Sequence, residues 1–382
     1  MPDLLAFAAD LIAAAGLAQA ALGWSSVRRF AKTPPIAAPS LPPVTVLKPL
    51  YGDEPLLEEA LATLFTQDYP QFQVVFGLQD PLDPARHTIA RLRARFPGAD
   101  IALVIDPTQH GANRKVANLI NMMPAARHDV LVIADSDVHS PPGYLSQLVA
   151  TLAQPGVGLA TTLYAGLRAN ESLVARLGAA GINQGFLPSA LLARRLGRQD
   201  CLGATMALRR ETLERAGGLG ALAPHLADDA VLGHRVREQG LAVALARTVP
   251  ATTIPEFAMA DLFAHELRWA RTIKQLEPLG FALSAIQHPL AWAVLGVAFG
   301  ADDFWAWATL LVAWFCRSLI ALGIERRLGL ASGLAIWCLP LRDLLSMAVL
   351  LASYANDRVA WRGHILSADR PALLPQGISP RP

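Results

Sequence analysis

The stretch VLVIADSDVHSPPGYL, residues 130–145, runs an apolar segment straight into Asp135, Ser136 and Asp137. Two carboxylates one residue apart can grip a hard divalent cation. Mg²⁺ and Mn²⁺ favour oxygen ligands and keep waters and substrate phosphates in their shell, so one or two protein carboxylates suffice. A solvated acidic loop has the same spelling, so the pair gains meaning only from its companions. Asp80 lies upstream in GLQDPLDP (77–84), at a place where a base or ribose would cross a sheet edge. Downstream come Asp228 and Asp229 in HLADDAVLG (225–233), then Arg268 and Trp269 in HELRWARTIK (265–274). A cation held by such carboxylates would bridge to a diphosphate and neutralise charge as that group departs. Adjacent acids at a helix N-terminus also occur simply because they favour the local dipole. Lys115 in GANRKVAN begins a helix, where it either contacts phosphate or is solvated.

To meet in one place these groups need a scaffold. Apolar runs at 44–50, 72–78, 101–105 and 129–134 alternate with amphipathic stretches at 55–66, 84–96 and 114–122. That alternation predicts a parallel sheet covered by helices on both faces. Ligands of such sheets bind at the carboxyl ends of the strands, so Asp135 and Asp137 would project there at no expense in core packing. Neither GxGxxG nor GxxxxGK[ST] follows the first strand. Phosphates must be managed by another device, and a carboxylate-held cation would serve. From residue 157 the regularity loosens. VGLATTLYAGL reads as a strand, and 171–198 as a largely apolar helical stretch among Arg176, Arg194, Arg195 and Arg198. That stretch is either a helix lying in a bilayer interface or a buried core helix.

Composition points toward lipid as part of the solvent. Hydrophobic residues make up 53% of the 382, with a mean hydropathy of +0.34. Residues 4–24 would be about 30 Å long as a helix, one bilayer core. Arg28, Arg29 and Lys32 follow this run, the order of a retained anchor with a cytoplasmic C-terminal end rather than of a cleaved signal peptide. Further apolar runs occupy 281–300, 304–324 and 334–353. Three full crossings would export a basic tail, so one run is expected to be interfacial or re-entrant: the first, with His288 and Pro289, or the last, with Pro340. Arg317, Arg342 and Asp343 inside these runs are either internally paired or ligands of a lipid headgroup. A net charge of +2 without a long basic block gives nucleic-acid binding no support. Cys201, Cys316 and Cys338 show neither disulfide nor metal spacing, and His110, His128, His225 and His234 show no ligand spacing either. The expected layout is an anchor at 1–28, a proline-rich linker at 29–43, a catalytic domain at 44–275, membrane segments at 276–355 and a tail at 356–382.

The ordered set QD, DSD, ADD and HxxRW between an N-terminal anchor and C-terminal membrane segments resembles the ceramide glucosyltransferase-like family, glycosyltransferase family 21. The wording VVFGLQDPLDP, HGANRKVANLINMMPAARHDVLVIADSDV and HELRWARTIK is most similar to the bacterial hopanoid biosynthesis-associated glycosyltransferases. The resemblance runs from about residue 44 to WRG at 361–363. It implies an α/β fold of the GT-A type, with a Rossmann-like, mostly parallel sheet. It further implies inverting transfer of N-acetylglucosamine or glucose from a UDP-sugar to a hydroxyl of a membrane lipid, a hopanoid polyol or a ceramide or diacylglycerol. The setting would be a bacterial inner membrane, with the site facing the cytoplasm. Carried onto this chain, Asp80 and Asp135 bind the donor, Asp137 and Asp135 hold Mg²⁺ or Mn²⁺, Asp229 is the base, and Arg268 and Trp269 belong to the (Q/R)xxRW motif. His265 stands where that motif has Gln or Arg. Gly203-Ala204-Thr205 resembles the family's small-residue loop near the transferred sugar.

Overall fold

The structure, a computed structural model, describes residues 2–356, 358–361 and 364–367. The chain opens with a long helix, α1 (Pro2–Lys32), and then alternates through β1 (Val44–Pro49), α2 (Leu57–Ala62), β2 (Phe72–Leu78), α3 (Ala85–Arg95), β3 (Ile101–Ile105), α4 (Arg114–Met122) and β4 (Val130–Ala134). Next come β5 (Val138–His139), α5 (Tyr144–Leu152), β6 (Val157–Thr161), β7 (Ala165–Arg168), α6 (Leu173–Ala180), α7 (Leu187–Arg195), β8 (Thr205–Arg209), α8 (Arg210–Arg215), α9 (Asp228–Glu238), β9 (Ala242–Leu245) and β10 (Ala251–Ile254). The last third is helical: α10 (Met259–Leu276), α11 (Pro278–Leu283), α12 (Pro289–Phe299), α13 (Phe304–Leu328) and α14 (Leu339–Ala352). Contacts divide the described chain into two units. One comprises 34–164 and 198–253; the other comprises 2–33, 165–197 and the residues from 254 onward.

The first unit is built on a seven-stranded sheet in the order β3-β2-β1-β4-β8-β6-β9. Its first four strands fall where the apolar runs predict. β1, β2, β3 and β4 are mutually parallel, while β8 runs antiparallel between β4 and β6. Every residue of β1 and β4 is buried, as strands covered on both faces must be. Val44, Val46, Val130 and Val132 face one way, onto Leu61, Leu92 and Leu148 of α2, α3 and α5. Leu47, Leu131 and Ile133 face the other way, onto Leu119 of α4 and Val231 and Val236 of α9. Period-two side-chain alternation thus supplies two cores from one run of apolar residues. The chain leaves β1 toward β2 on one side and reaches β4 on the other. The carboxyl edge between β1 and β4 is therefore the switch point where open α/β sheets bind ligands. The run 157–167, read as one strand, is two, β6 and β7.

The second unit has two helices long and apolar enough to cross a membrane, Asp3–Lys32 and Phe304–Leu328. Small residues let helices approach closely. A Cβ on Gly16 would lie 2.3 Å from the carbonyl oxygen of Ile286, and one on Gly323 would lie 3.0 Å from the Trp24 ring. The apolar run at 281–300 divides, and Pro278–Gln287 meets Pro289–Phe299 at a bend of 67°, the shape of a broken span or a re-entrant loop. His288 and Pro289 sit at that bend, where the sequence placed an irregular run. The run at 334–353 yields the 14-residue α14. The stretch 171–198 is helical in two pieces, α6 and α7, joined by a π turn over Gly181–Phe186. Most of the expected tail lies outside the described residues; Arg358–Trp361 and His364–Ser367 form an antiparallel ladder.

Two arginines bond carbonyls of α6 and of the π turn. Arg342 donates to the Leu177 carbonyl at 3.1 Å and forms a two-pronged pair with Glu266, 2.7 Å on each prong. Arg317 donates to the Gln184 carbonyl at 3.3 Å and stands 3.9 Å from Asp343, whose other oxygen accepts the Leu290 N–H at 3.1 Å. Of the two readings for these groups, internal pairing is the one the contacts realise. Removing one partner from a buried pair strands the other charge. Arg342→Met alone is expected to destabilise by about 3–5 kcal/mol, whereas Arg342→Met with Glu266→Leu recovers most of the loss. Chemical unfolding of the detergent-solubilised protein measures both. Equal losses in the single and double variants would contradict the assignment.

Candidate active site

β4 ends at Ala134, and the chain turns through Asp135-Ser136-Asp137 into β5. A residue of the neighbouring strand holds this turn. Lys48 in β1 is fully buried, and its ammonium donates to the carbonyls of Asp135 at 2.5 Å and Val138 at 3.4 Å. Burial lowers the Lys48 pKa to about 8, opposed by the charges of Asp137, Asp135 and Glu54. The group therefore remains an ammonium at neutral pH, a fixed cation under the turn. Glu54 accepts the Ser136 hydroxyl, Thr252 of β10 donates to the Asp137 carboxylate, and the Thr253 N–H reaches the Asp137 carbonyl at 3.3 Å.

A second cation comes from α4. Asn113 caps that helix by accepting the Val116 N–H at 3.1 Å, and its own amide donates to Asp228 at 3.1 Å and to the His225 carbonyl at 2.9 Å. This sets Lys115, the second residue of the helix, with its ammonium 2.7 Å from Asp135 and 3.9 Å from Asp228. Burial works against that charge, but Asp135 and Asp228 outweigh it and the Lys115 pKa goes up. To the two readings of Lys115 from sequence, phosphate contact or solvation, the geometry adds an ion pair.

Asp228 and Asp229 begin α9 and point apart. Asp228 is buried against Asn113, while the Asp229 carboxylate accepts its neighbour's N–H, that of Ala230, at 2.8 Å. A Cβ on Gly203 would lie 2.7 Å from Asp229 Oδ2, so the small-residue loop at 203–205 abuts this carboxylate. Burial, then the charge of Asp228, pushes the Asp229 pKa up to about 6, with Lys115 pulling the other way. Burial and Asp135 likewise raise Asp137. Burial and the charges of Asp229, Asp135 and Asp137 raise the Tyr164 phenol, which stays protonated as a neutral donor among the acids.

Asp135, Asp137 and Asp229 thus share one cluster with Lys48, Lys115, Asp228 and Tyr164. Asp80 is exposed at the end of β2, its carboxylate accepting the Leu82 N–H at 2.8 Å. Since β1 separates β2 from β4, Asp80 stands on the same edge about 10 Å from the DSD turn, at ~4.8 Å per strand. Arg268 and Trp269 belong to α10 in the other unit. There the His265 Nδ1 is hydrogen-bonded to Glu256, and the His265 ring meets Trp269 edge-on at 4.4 Å. Burial alone would raise the Glu256 carboxyl, but the His265 hydrogen bond and charge bring it below the ordinary range.

Sequence reasoning missed Lys48, Tyr164 and Glu256. Lys48 carried a signal, a cation inside an otherwise apolar strand. The other two carried none, because each is defined by partners distant in sequence.

Among the described residues no group of three His, Cys, Asp or Glu is arranged to hold an ion. A two-carboxylate site that borrows phosphate oxygens needs no third protein ligand. Four aspartates here share two lysines, and the Asp137 carboxyl is raised first by burial and then by the charge of Asp135. This donor set fits Mg²⁺ or Mn²⁺, with Asp135 and Asp137 as the residues that would hold it.

A mostly parallel sheet with a DxD turn at its switch point and an acidic helix start beside it defines a glycosyltransferase fold of the GT-A type. The profile of glycosyl transferase family 21 matches residues 8–372, and the chain belongs to that family. A ceramide glucosyltransferase of Komagataella phaffii is 33% identical over 125 residues, 32% of this chain and 24% of that protein. Ceramide glucosyltransferase 1 of Caenorhabditis elegans is 21% identical over 233 residues, 61% of this chain and 50% of that protein. The matches therefore span about a quarter to a half of the length of these curated relatives. Among solved structures, a mannosyltransferase of Pyrobaculum calidifontis in complex with GDP-Man and Mn²⁺ superposes with a TM-score of 0.54 at 21% identity, covering 93% of this chain and 98% of that one. That likeness concerns the fold.

The contact of Gly203 with Asp229 is directly testable. Gly203→Ala is expected to displace the carboxylate by a fraction of an ångström and lower kcat about 10–100-fold, with little change in Tm. Steady-state kinetics paired with a melting curve measures both, and unchanged kcat would remove the contact from the site.

Proposed function

We propose that this chain is a membrane-bound, inverting glycosyltransferase that moves a hexosyl group from a UDP-sugar to a hydroxyl of a membrane lipid. Family membership supports the reaction class. The observation that carries the assignment of roles is Asp229, a carboxylate raised toward neutrality beside the DSD turn. The lipid hydroxyl attacks the anomeric carbon opposite the diphosphate. Its proton passes to Asp229 as the new C–O bond forms and the bond to the β-phosphate oxygen breaks, releasing UDP. A base with a pKa near the working pH is the efficient choice. Asp228 is buried against Asn113 and stands 3.9 Å from Lys115. Asp229 is partly exposed and accepts its neighbour's N–H through Oδ1, which makes it the more accessible acceptor of the pair. Lys115 fixes Asp135, Lys48 fixes the turn from beneath, and Asp80 takes the nucleoside end. A divalent ion bound by Asp135 and Asp137 would supply charge neutralisation at the departing diphosphate. The resemblance of HELRW to the family motif assigns Arg268 and Trp269 to the transfer reaction as well.

The wording of the motifs favours a hopanoid polyol as acceptor and N-acetylglucosamine as the sugar. The ceramide glucosyltransferase relatives favour the second reading, glucose transfer to ceramide. The two readings separate when purified protein is given labelled UDP-N-acetylglucosamine or UDP-glucose with each lipid in turn. Product on the hopanoid polyol alone is the expected result. Product only on ceramide selects the second reading, and product on neither lipid from either donor contradicts both.

The raised pKa also fixes a pH dependence. Protonated Asp229 cannot accept the hydroxyl proton, so kcat/KM should fall as pH drops through about 6 and level off above it. Stability has the opposite sign. The folded state holds this proton more tightly than the unfolded chain does, so the Asp229 contribution falls as pH rises from the ordinary carboxylate range to about 6, and the loss persists at neutral pH. Asp229→Asn removes that burden. At pH 7.5 the variant is expected to melt no lower than the parent while losing transfer at least 100-fold. A pH–rate profile with melting curves at pH 5 and 7.5 tests both, and undiminished transfer by the variant would refute the base assignment.

A further inference from the structure

α1 ends in a surface that neither the sheet edge nor the motifs account for. Arg28, Arg29 and Lys32 are exposed, and with Ser25 and Thr33 they line a concavity of ≈ 390 Å³. A fourth cation comes from α7. Gly23 lets α7 close on α1, since a Cβ there would lie 3.2 Å from Pro188, and Arg195 at the α7 C-terminus reaches the Ser25 hydroxyl at 3.5 Å.

None of Arg28, Arg29, Lys32 and Arg195 forms an ion pair with a carboxylate among the described residues. Helix C-termini favour cations, and part of this charge answers the two helix dipoles. Each dipole supplies roughly half a negative charge, so two helix ends offset about one of four cations. The remainder faces outward.

The rest of the same helix face shows what it faces. Leu11, Ala15, Ala18, Leu22, Ser25, Arg29 and Lys32 follow the i, i+3/i+4 spacing of a single stripe, and all are exposed. The stripe is apolar from Leu11 to Leu22, then hydroxyl-bearing, then cationic. Beside its cationic end stands Leu196, 77% exposed and next in sequence to Arg195. An apolar track ending in hydroxyl donors and uncompensated cations complements a molecule with an acyl chain and an anionic headgroup. A free anion would use the collar and leave the track bare.

We infer that this collar, formed by Ser25, Arg28, Arg29, Lys32 and Arg195, binds the phosphate headgroup of an anionic phospholipid whose acyl chain lies along the Leu11–Leu22 face. The inference rests on α1 residing in a bilayer and not on the transfer chemistry. The headgroup phosphate accepts from the guanidinium groups and from the Ser25 and Thr33 hydroxyls, and the surrounding basic charge adds attraction to an anionic surface.

The test uses the full chain purified in a mild non-ionic detergent, with co-purified phospholipid quantified by mass spectrometry. Phosphatidylglycerol is expected to be enriched over phosphatidylethanolamine relative to the source membrane. Changing Arg28, Arg29, Lys32 and Arg195 together to Gln is expected to cut the retained phosphatidylglycerol at least five-fold. In phosphatidylcholine nanodiscs, added phosphatidylglycerol raises the Tm of the parent and not of that variant, whereas inorganic phosphate raises neither. Arg28→Lys with Arg29→Lys and Arg195→Lys keeps the charge and should keep the lipid. Arg91→Gln with Arg93→Gln, exposed cations of the other unit, should change nothing. Should the four-fold variant fail to fold, Arg195→Gln alone is read in the same assay and is expected to lose about half the retained lipid. Parental retention by the neutralised variants would overturn the inference, as would a Tm rise given equally by phosphate. Extraction of the protein without detergent would instead remove the bilayer premise, and a failed transfer assay would leave this result untouched.

Discussion

Everything at the sheet edge follows from setting four carboxylates beside two ammoniums. Asp135, Asp137, Asp228 and Asp229 converge at the carboxyl ends of β1 and β4, and Lys48 and Lys115 are the cations set among them. A carboxylate short of counter-charge in a buried place has two outlets: it holds a proton, or it holds a metal. The cluster divides these between its members. Burial and the charge of Asp228 push the Asp229 carboxyl toward the first, up to about 6, which in the proposed reaction leaves it ionised and able to act as base at neutral pH. Asp135 and Asp137, one residue apart on a turn, suit the second.

The frustration is tolerable because the scaffold is rigid. Both strands that carry the site are buried on both faces, and their alternating valines and leucines bind the sheet to helices above and below. Lys48 shows how the fold positions the turn. It spends a fully buried ammonium on two backbone carbonyls, which makes the turn's conformation part of the core. Gly203 shows the complementary device, a missing side chain that gives Asp229 its place.

Much of this was legible in the sequence, for identifiable reasons. Short apolar runs between amphipathic stretches located β1 to β4, and the position of DSD after the fourth run put it at the carboxyl end of a strand. Of the two runs offered as irregular, 281–300 and 334–353, the one holding His288 and Pro289 bends by 67°. What could not be read was pairing at a distance. Lys115 looked like a solvated or phosphate-bound lysine because its bond to Asp135 spans the interval from α4 to the end of β4. Tyr164 was hidden because 157–167 read as one strand, which hid the break between β6 and β7. The buried link of Glu266 to Arg342 lies inside the HELRW stretch, yet nothing in that stretch names its partner 76 residues away.

The central claim is that the acidic turn needs a divalent ion to accept a nucleoside diphosphate. Calorimetric titration of UDP into the purified protein tests it most directly. With Mn²⁺ present the parent should bind UDP, and with EDTA or with Asp137→Asn that binding should weaken at least 100-fold. UDP binding of equal strength with and without the ion would contradict the account.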